Sequence, residues 1–282
     1  MCSFPLGKSA YGVIFWDPSP EMFPWPLPIL GRPLLWYGFF FALGFFLAYL
    51  LFLRAVRRAK ICADPRKTVD AILTYAILGV VVGARLGDVL FYGRWDSYLR
   101  DPLSILRVWE GGLASHGGVL GVLIALFLYC RFHRKSEPKM TFLRLLDLVL
   151  VPAGVLAGCI RIGNFVNQEI LGTPTDLPWG VVFGHPMPPL SMVARHPVQI
   201  YEALVYFSLA LLFAILSKKW RARRDGQLTG LFLVLLFSFR IFVEFFKEEL
   251  SPLLQGVSSP VDMGQILSVP LIALGGYLLW RK

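Results

Sequence analysis

Costly polar side chains gather where apolar stretches of this chain end. The segment "GCIRIGNFVNQEILG", Gly158 to Gly172, closes an apolar run with Arg161, Asn164, Asn167, Gln168 and Glu169. Further outliers of the same kind are Arg85 with Asp88, Glu202, and Arg240 with Glu244, while Tyr37, His116 and His196 stand at the starts of apolar runs. A charge at the centre of a membrane helix costs about 2.5–3.5 kcal/mol on insertion scales, so such groups are functional candidates by default. Arginine pairs bidentately with phosphate, and glycine-rich backbone, as at Gly111–Gly112, Gly117–Gly118, Gly163 and Gly172, lets donors approach an anion closely. The chemistry these types suggest is recognition of a phosphate at a lipid interface. Local alternatives exist: an i,i+4 ion pair for Arg240–Glu244 and an i,i+3 pair for Arg85–Asp88, an aromatic-belt anchor for Tyr37, and a helix cap for His116. Arg161 has no carboxylate one turn back, and Asn164 shares its helical face.

The elements that must hold these residues are membrane helices. Of the 282 residues 56% are hydrophobic and only 16% charged, against about a quarter charged in soluble domains, and mean hydropathy is +0.62. Apolar windows of spanning length fall at 34–53, 69–92, 117–132, 145–163, 198–217, 228–246 and 262–280; the third is short and Pro152 interrupts the fourth. The expected fold is an all-α polytopic membrane protein, a single domain over 1–282 with seven transmembrane helices. Most Lys and Arg residues cluster in 54–67, 131–144, 218–224 and 281–282, all on one side if seven spans alternate. The positive-inside rule makes that side cytoplasmic and the N-terminus external. The net charge of +10 is therefore topological, and nucleic acid is not an expected partner. With this orientation every polar outlier lies in the outer half of the membrane.

Outside the spans, 1–33 is a Pro-rich external arm without the pattern of a cleavable signal peptide, 93–116 reads as an interfacial helix ending near Trp109, and 164–197 is a long Pro- and Gly-rich loop of a length usually tied to function. The four cysteines have no CxxC spacing, and Cys130 and Cys159 read as packing residues. No HExxH, GxSxG, P-loop or dinucleotide fingerprint is present, so neither a metal nor a cofactor is expected. A transporter would place its polar groups near the midplane and show repeats, which this pattern lacks.

Nearly the whole chain, from "LWYG" to "MGQILSVP", resembles the prolipoprotein diacylglyceryl transferases, most specifically in "RVWEGGLASHGGVLGV", "RIGNFVNQEILG", "RHPVQIYEAL" and "FRIFVEFF". The resemblance implies transfer of a diacylglyceryl group from phosphatidylglycerol to the cysteine thiol of a prolipoprotein lipobox. The products are a thioether and glycerol phosphate, made at the bacterial inner membrane. It also implies roles. Arg161 would bind the donor phosphate, Arg240 and Gly172 would support it, and His116 would be the base for the thiol. Tyr37, Asn164, Glu169 and Glu244 match further important positions. Departures from the family pattern are Leu35 for His, Ile160 for Gly, Gln168 for Gly, Leu171 for Trp and Lys247 for Arg. The topology has a direct check: a reporter fused after Lys282 reads as cytoplasmic, and an external signal would overturn the one-sided placement of the polar groups.

Overall fold

The computed structural model describes residues 14–23, 25, 31, 33–91, 98, 100–108, 111–112, 114–220, 224–248 and 263–281. Seven helices occur among them: α1 (Trp36–Ala59), α2 (Pro65–Phe91), α3 (Ser115–Phe132), α4 (Phe142–Val166), α5 (Val198–Lys219), α6 (Gln227–Glu244) and α7 (Met263–Trp280). Each coincides with one apolar window of the sequence. By length and composition α1, α2, α4, α5 and α6 can cross a membrane, whereas α3 and α7 carry shorter apolar stretches. Large apolar side chains such as Leu78, Leu90, Leu120, Leu204 and Leu211 point outward, as contact with lipid tails requires.

Helix ends depart from the apolar windows for physical reasons. α1 continues through Arg54, Arg57 and Arg58, because backbone hydrogen bonding carries on after hydropathy stops and long basic side chains can reach the interface. Pro152 lies inside α4 and Pro270 inside α7 without ending either helix. Neighbouring helices and local adjustments re-satisfy the freed carbonyl in a membrane segment.

The chain forms two compact units, Met1–Leu51 with Val149–Lys282, and Phe52–Leu148. In the second unit α2 packs on α3 through small residues. A Cβ placed on Gly83 would lie 2.7 Å from Gly121 Cα, and one on Gly79 would lie 2.6 Å from the Gly121 carbonyl oxygen. Backbones thus touch, which is how membrane helices gain packing energy where lipid offers no hydrophobic drive. At the end of α2, Arg85 is buried and gives its donors to carbonyls: Nε to Ile105 (2.8 Å), Nη1 to Gly111 (2.7 Å) and Gly112 (3.1 Å), and Nη2 to Ser104 (2.5 Å). Asp88 completes this knot 3.8 Å from Arg85 and accepts from the Tyr98 hydroxyl. The structural alternative for this pair holds. Within 93–116 the described residues include a short 3-10 helix, Pro102–Leu106; Trp109 lies outside the described residues.

The first unit has a core of Leu150, Leu209, Phe213 and Leu228 from α4, α5 and α6. The 164–197 segment contributes strands β2 (Val181–Phe183) and β3 (Ala194–Arg195), and β1 (Ile14–Trp16) joins them in the order β1-β2-β3. β1 runs parallel to β2, with Phe15 opposite Val182, and β2 antiparallel to β3. Leu171, Val181 and Phe183 pack beneath Trp16 and Phe165, and the Trp16 indole donates to the Phe165 carbonyl at 3.2 Å. This small sheet fastens the residues that follow α4. Cys159 is buried, its Cβ lying where a Gly44 side chain would start, so it is a packing residue between α4 and α1.

The α2–α3 contact predicts a selective sensitivity. Gly83→Leu lowers thermal stability in detergent by an amount typical of overpacking, about 1–3 kcal/mol, read as an earlier melt by scattering-corrected fluorescence. Gly276→Ala, whose Cβ would meet nothing within 4 Å, leaves the melt where it was.

Candidate active site

Arg161 lies one and a half turns before the end of α4, so its side chain reaches the rim where the helix gives way to the 164–197 segment. Its Nη1 donates to Asn164 Oδ1 at 3.1 Å, one helical turn along the same face as the sequence pattern expected. Its Nε stands 2.9 Å from Glu202 Oε2 of α5. Glu202 is 1% exposed and its other oxygen takes Lys247 Nζ at 3.0 Å and the Tyr206 hydroxyl at 3.4 Å. Lys247 also reaches Glu244 Oε2 at 3.3 Å. The result is a connected row of alternating charges, Arg161–Glu202–Lys247–Glu244, drawn from α4, α5 and the end of α6.

Arg240 lies one turn before Glu244 on α6. Among the described residues it makes no hydrogen bond or ion pair, and the expected alternative of an Arg240–Glu244 pair is not what forms: Glu244 turns instead to Lys247, three residues on. Arg240 remains within electrostatic range of Tyr206, which also sits beside Arg161. The carboxylate of Glu244 lies over Gly264, whose missing side chain leaves it room.

The chain after α4 turns sharply. Gln168 and Ile170 have positive φ, 54° and 57°, and they bracket Glu169. Left-handed backbone is costly for a branched residue such as isoleucine, and strain of this kind clusters where a site needs a fixed side-chain direction. The turn is held on every side. Glu169 N donates to the Asn164 carbonyl at 3.1 Å, Asn167 Nδ2 to Glu169 Oε1 at 2.7 Å, and the fully buried Gln199 donates Nε2 to the Glu169 carbonyl at 2.8 Å. Tyr37, at the start of α1, lays its ring against Gly163, where an added Cβ would meet Tyr37 Cδ2 at 3.1 Å. Its phenol is in electrostatic range of both Glu169 and Arg161.

Gly172 is pressed between two backbones. A Cβ there would lie 2.7 Å from His196 Cβ and 2.8 Å from the Phe246 carbonyl oxygen. The contact is sewn by Thr173 N to the Phe246 carbonyl (2.9 Å) and Glu248 N to the Leu171 carbonyl (3.0 Å), a bridge pairing Gly172 with Lys247. Arg195, 3% exposed, donates to the Gly172 carbonyl at 3.1 Å and to Glu248 at 2.7 Å. Beside it, burial pushes the His196 imidazole below its ordinary pKa, so it stays neutral at pH 7.

The structure therefore brings together Tyr37, Arg161, Asn164, Glu169, Gly172, Arg240 and Glu244 in one unit. His116 belongs to the other unit, exposed in the first turn of α3. Glu202 stood out in the sequence as a charged residue in an apolar run but carried no assigned role. Lys247 stood out only as a departure from a pattern. A signal for Lys247 was present, since it follows Glu244 by three residues, but its second partner is 45 positions away. His133, without an assigned function, stacks on Tyr129 at 4.3 Å, and His185 pairs with Asp17 at 2.6 Å.

Comparison with known proteins identifies the family. Residues 26–281 match the family described as prolipoprotein diacylglyceryl transferase. A protein of Chloroherpeton thalassium named phosphatidylglycerol–prolipoprotein diacylglyceryl transferase is 40% identical over 98% of this chain and 96% of its own length. One of the same name from Tolumonas auensis is 41% identical over 95% of this chain and 96% of its own, and one from Nitrosomonas europaea 39% identical over 93% and 90%. The matched residues cover all seven helices, and the chain belongs to the prolipoprotein diacylglyceryl transferase family.

Proposed function

We propose that this chain moves the diacylglyceryl group of phosphatidylglycerol to the cysteine thiol of a prolipoprotein lipobox, the first step of lipoprotein maturation. The observation that carries this reading is the Arg161 row. It presents a guanidinium, steadied by Asn164 and Glu202, at the rim of a membrane helix with Arg240 nearby.

In the reaction the thiolate sulfur attacks the glycerol methylene that bears the phosphate. The carbon–sulfur bond forms, the carbon–oxygen bond to phosphate breaks, and glycerol phosphate leaves. A thiol of ordinary pKa near 8.5 is mostly protonated at neutral pH, so a base that takes the proton helps; His116 is the residue the family signature offers for it. The phosphodiester carries one negative charge and the departing monoester gathers a second. Cations that hold this oxygen bind the transition state more strongly than the ground state, which is what lowers the barrier. Arg161 and Arg240 take this part, with Gly172 keeping the loop close. Tyr37, Asn164 and Glu169 orient the donor and Arg161, and Glu244 acts on the same row through Lys247 and Glu202. Nothing in this chemistry requires a metal or a redox cofactor.

The reading includes a topology. All seven helices cross the inner membrane, with the N-terminus and the arm 1–33 outside, 93–116 along the outer interface and the C-terminus cytoplasmic. The basic clusters between helices support that orientation, and both substrates are then met at the outer leaflet.

Purified protein mixed with phosphatidylglycerol vesicles and a synthetic lipobox peptide adds one diacylglyceryl group, seen by mass spectrometry and dependent on the peptide cysteine, with glycerol phosphate released. Arg161→Ala lowers turnover by about 10²–10³-fold, the loss expected when a donor to developing charge is removed. Near-normal turnover by that variant would remove the phosphate role of Arg161, and no transfer by folded wild-type protein would overturn the assignment of donor or acceptor.

A further inference from the structure

We infer that Glu202 is a positioning residue that sets the direction of Arg161 toward an anionic phosphodiester, an inference that rests on the reading of Arg161 as the phosphate-binding residue. Glu202 Oε2 lies 2.9 Å from Arg161 Nε, an ion pair that draws the guanidinium toward α5. Asn164 takes one hydrogen of Nη1. The Tyr206 hydroxyl also lies against the guanidinium, and a planar fork binds a phosphate bidentately only when its plane is set.

Glu202 can do this because its own charge is anchored elsewhere. It is 1% exposed, and Lys247 Nζ reaches its other oxygen at 3.0 Å. Lys247 in turn is tied to Glu244 and, through its backbone, to the bridge with Gly172. Lys247 and Arg161 share the Glu202 carboxylate, one at each oxygen. A continuous run of contacts thus leads from the Gly172 loop through Lys247 and Glu202 to Arg161. It ties the tight loop packing to the orientation of one guanidinium.

The test pairs Glu202→Gln, which keeps size and loses charge, with Glu202→Asp, which keeps charge and shortens reach. Each is made in wild-type protein and in an Arg161→Lys background, where no fork exists to orient. Affinity for short-chain phosphatidylglycerol is read by 31P NMR titration, and turnover by the lipobox-peptide assay, on protein whose melt and gel-filtration profile are checked. Glu202→Gln weakens lipid affinity or turnover by about 10–100-fold, the range for a misdirected reacting group; Glu202→Asp recovers part of it, and the peptide KM is unchanged. In the Arg161→Lys background the same substitutions change either readout by less than about 2-fold, because coupled residues are not additive. An equal loss in both backgrounds, or wild-type behaviour of Glu202→Gln, would overturn the positioning role. Should Glu202→Gln fail to fold, the Glu202→Asp pair decides by the same comparison. Lipid binding without transfer, with the coupling intact, would sink the proposed reaction and leave the role of Glu202 standing, whereas no lipid binding at all would sink both.

Discussion

Taking a carboxylate out of water without a partner costs several kcal/mol, and that constraint organises the first unit. Glu202 is almost wholly enclosed among apolar helices, so the fold must deliver cations to both of its oxygens. Arg161 arrives from α4 and Lys247 from just past α6. Neither is adjacent to Glu202 in sequence, and each has its own restraint: Asn164 for the arginine, Glu244 and the Gly172 bridge for the lysine. Breaking such a buried pair by removing one partner is far more damaging than replacing the whole set, so the helix ends that supply these groups are held in register by the same interaction.

Arg85 and Arg161 show how the same side chain serves two purposes. Both sit near the ends of apolar helices, yet all three nitrogens of Arg85 are taken up by carbonyl oxygens of the segment after α2. That arginine is the bolt of a loop. Arg161 faces a carboxylate and an amide instead, at a rim lined by Tyr37 and Glu169, with Arg240 in electrostatic range of Tyr206 beside it. Burial alone does not separate the two; the identity of what consumes their donors does. Arg195 falls with Arg85, since its partners are the Gly172 carbonyl, Glu248 and Ser191, and its work is to hold the loop shut.

The turn after α4 explains how a helix end becomes a site. Two non-glycine residues with positive φ in three positions would unwind if left in solvent. Here Gln168 is buried, donating to Asp17 at 3.3 Å and accepting from His185 N at 2.7 Å. Gln199 and Asn164 hold the backbone of Glu169 from α5 and α4. A small three-stranded sheet, closed by β1 from far earlier in the chain, backs this arrangement. The loop is long in sequence but short of freedom, which is what a carboxylate beside a phosphate-binding arginine needs.

Much of this was legible in the sequence. Seven apolar windows became seven helices, the Arg161–Asn164 relation followed from helical spacing, and the residue types around Gly158–Gly172 pointed to an anion before any geometry. These are local properties: hydropathy depends on composition within one window, and i,i+3 neighbours are set by 3.6 residues per turn. Pairing is different. Whether Glu244 turns to Arg240 or to Lys247, whether Arg85 meets ligand or carbonyl, and that β1 pairs with β2 across more than 160 residues all depend on contacts between distant segments. A charge in a low-dielectric interior takes whichever partner packing brings within about 3 Å, and packing is decided by the whole set of helices rather than by any one of them.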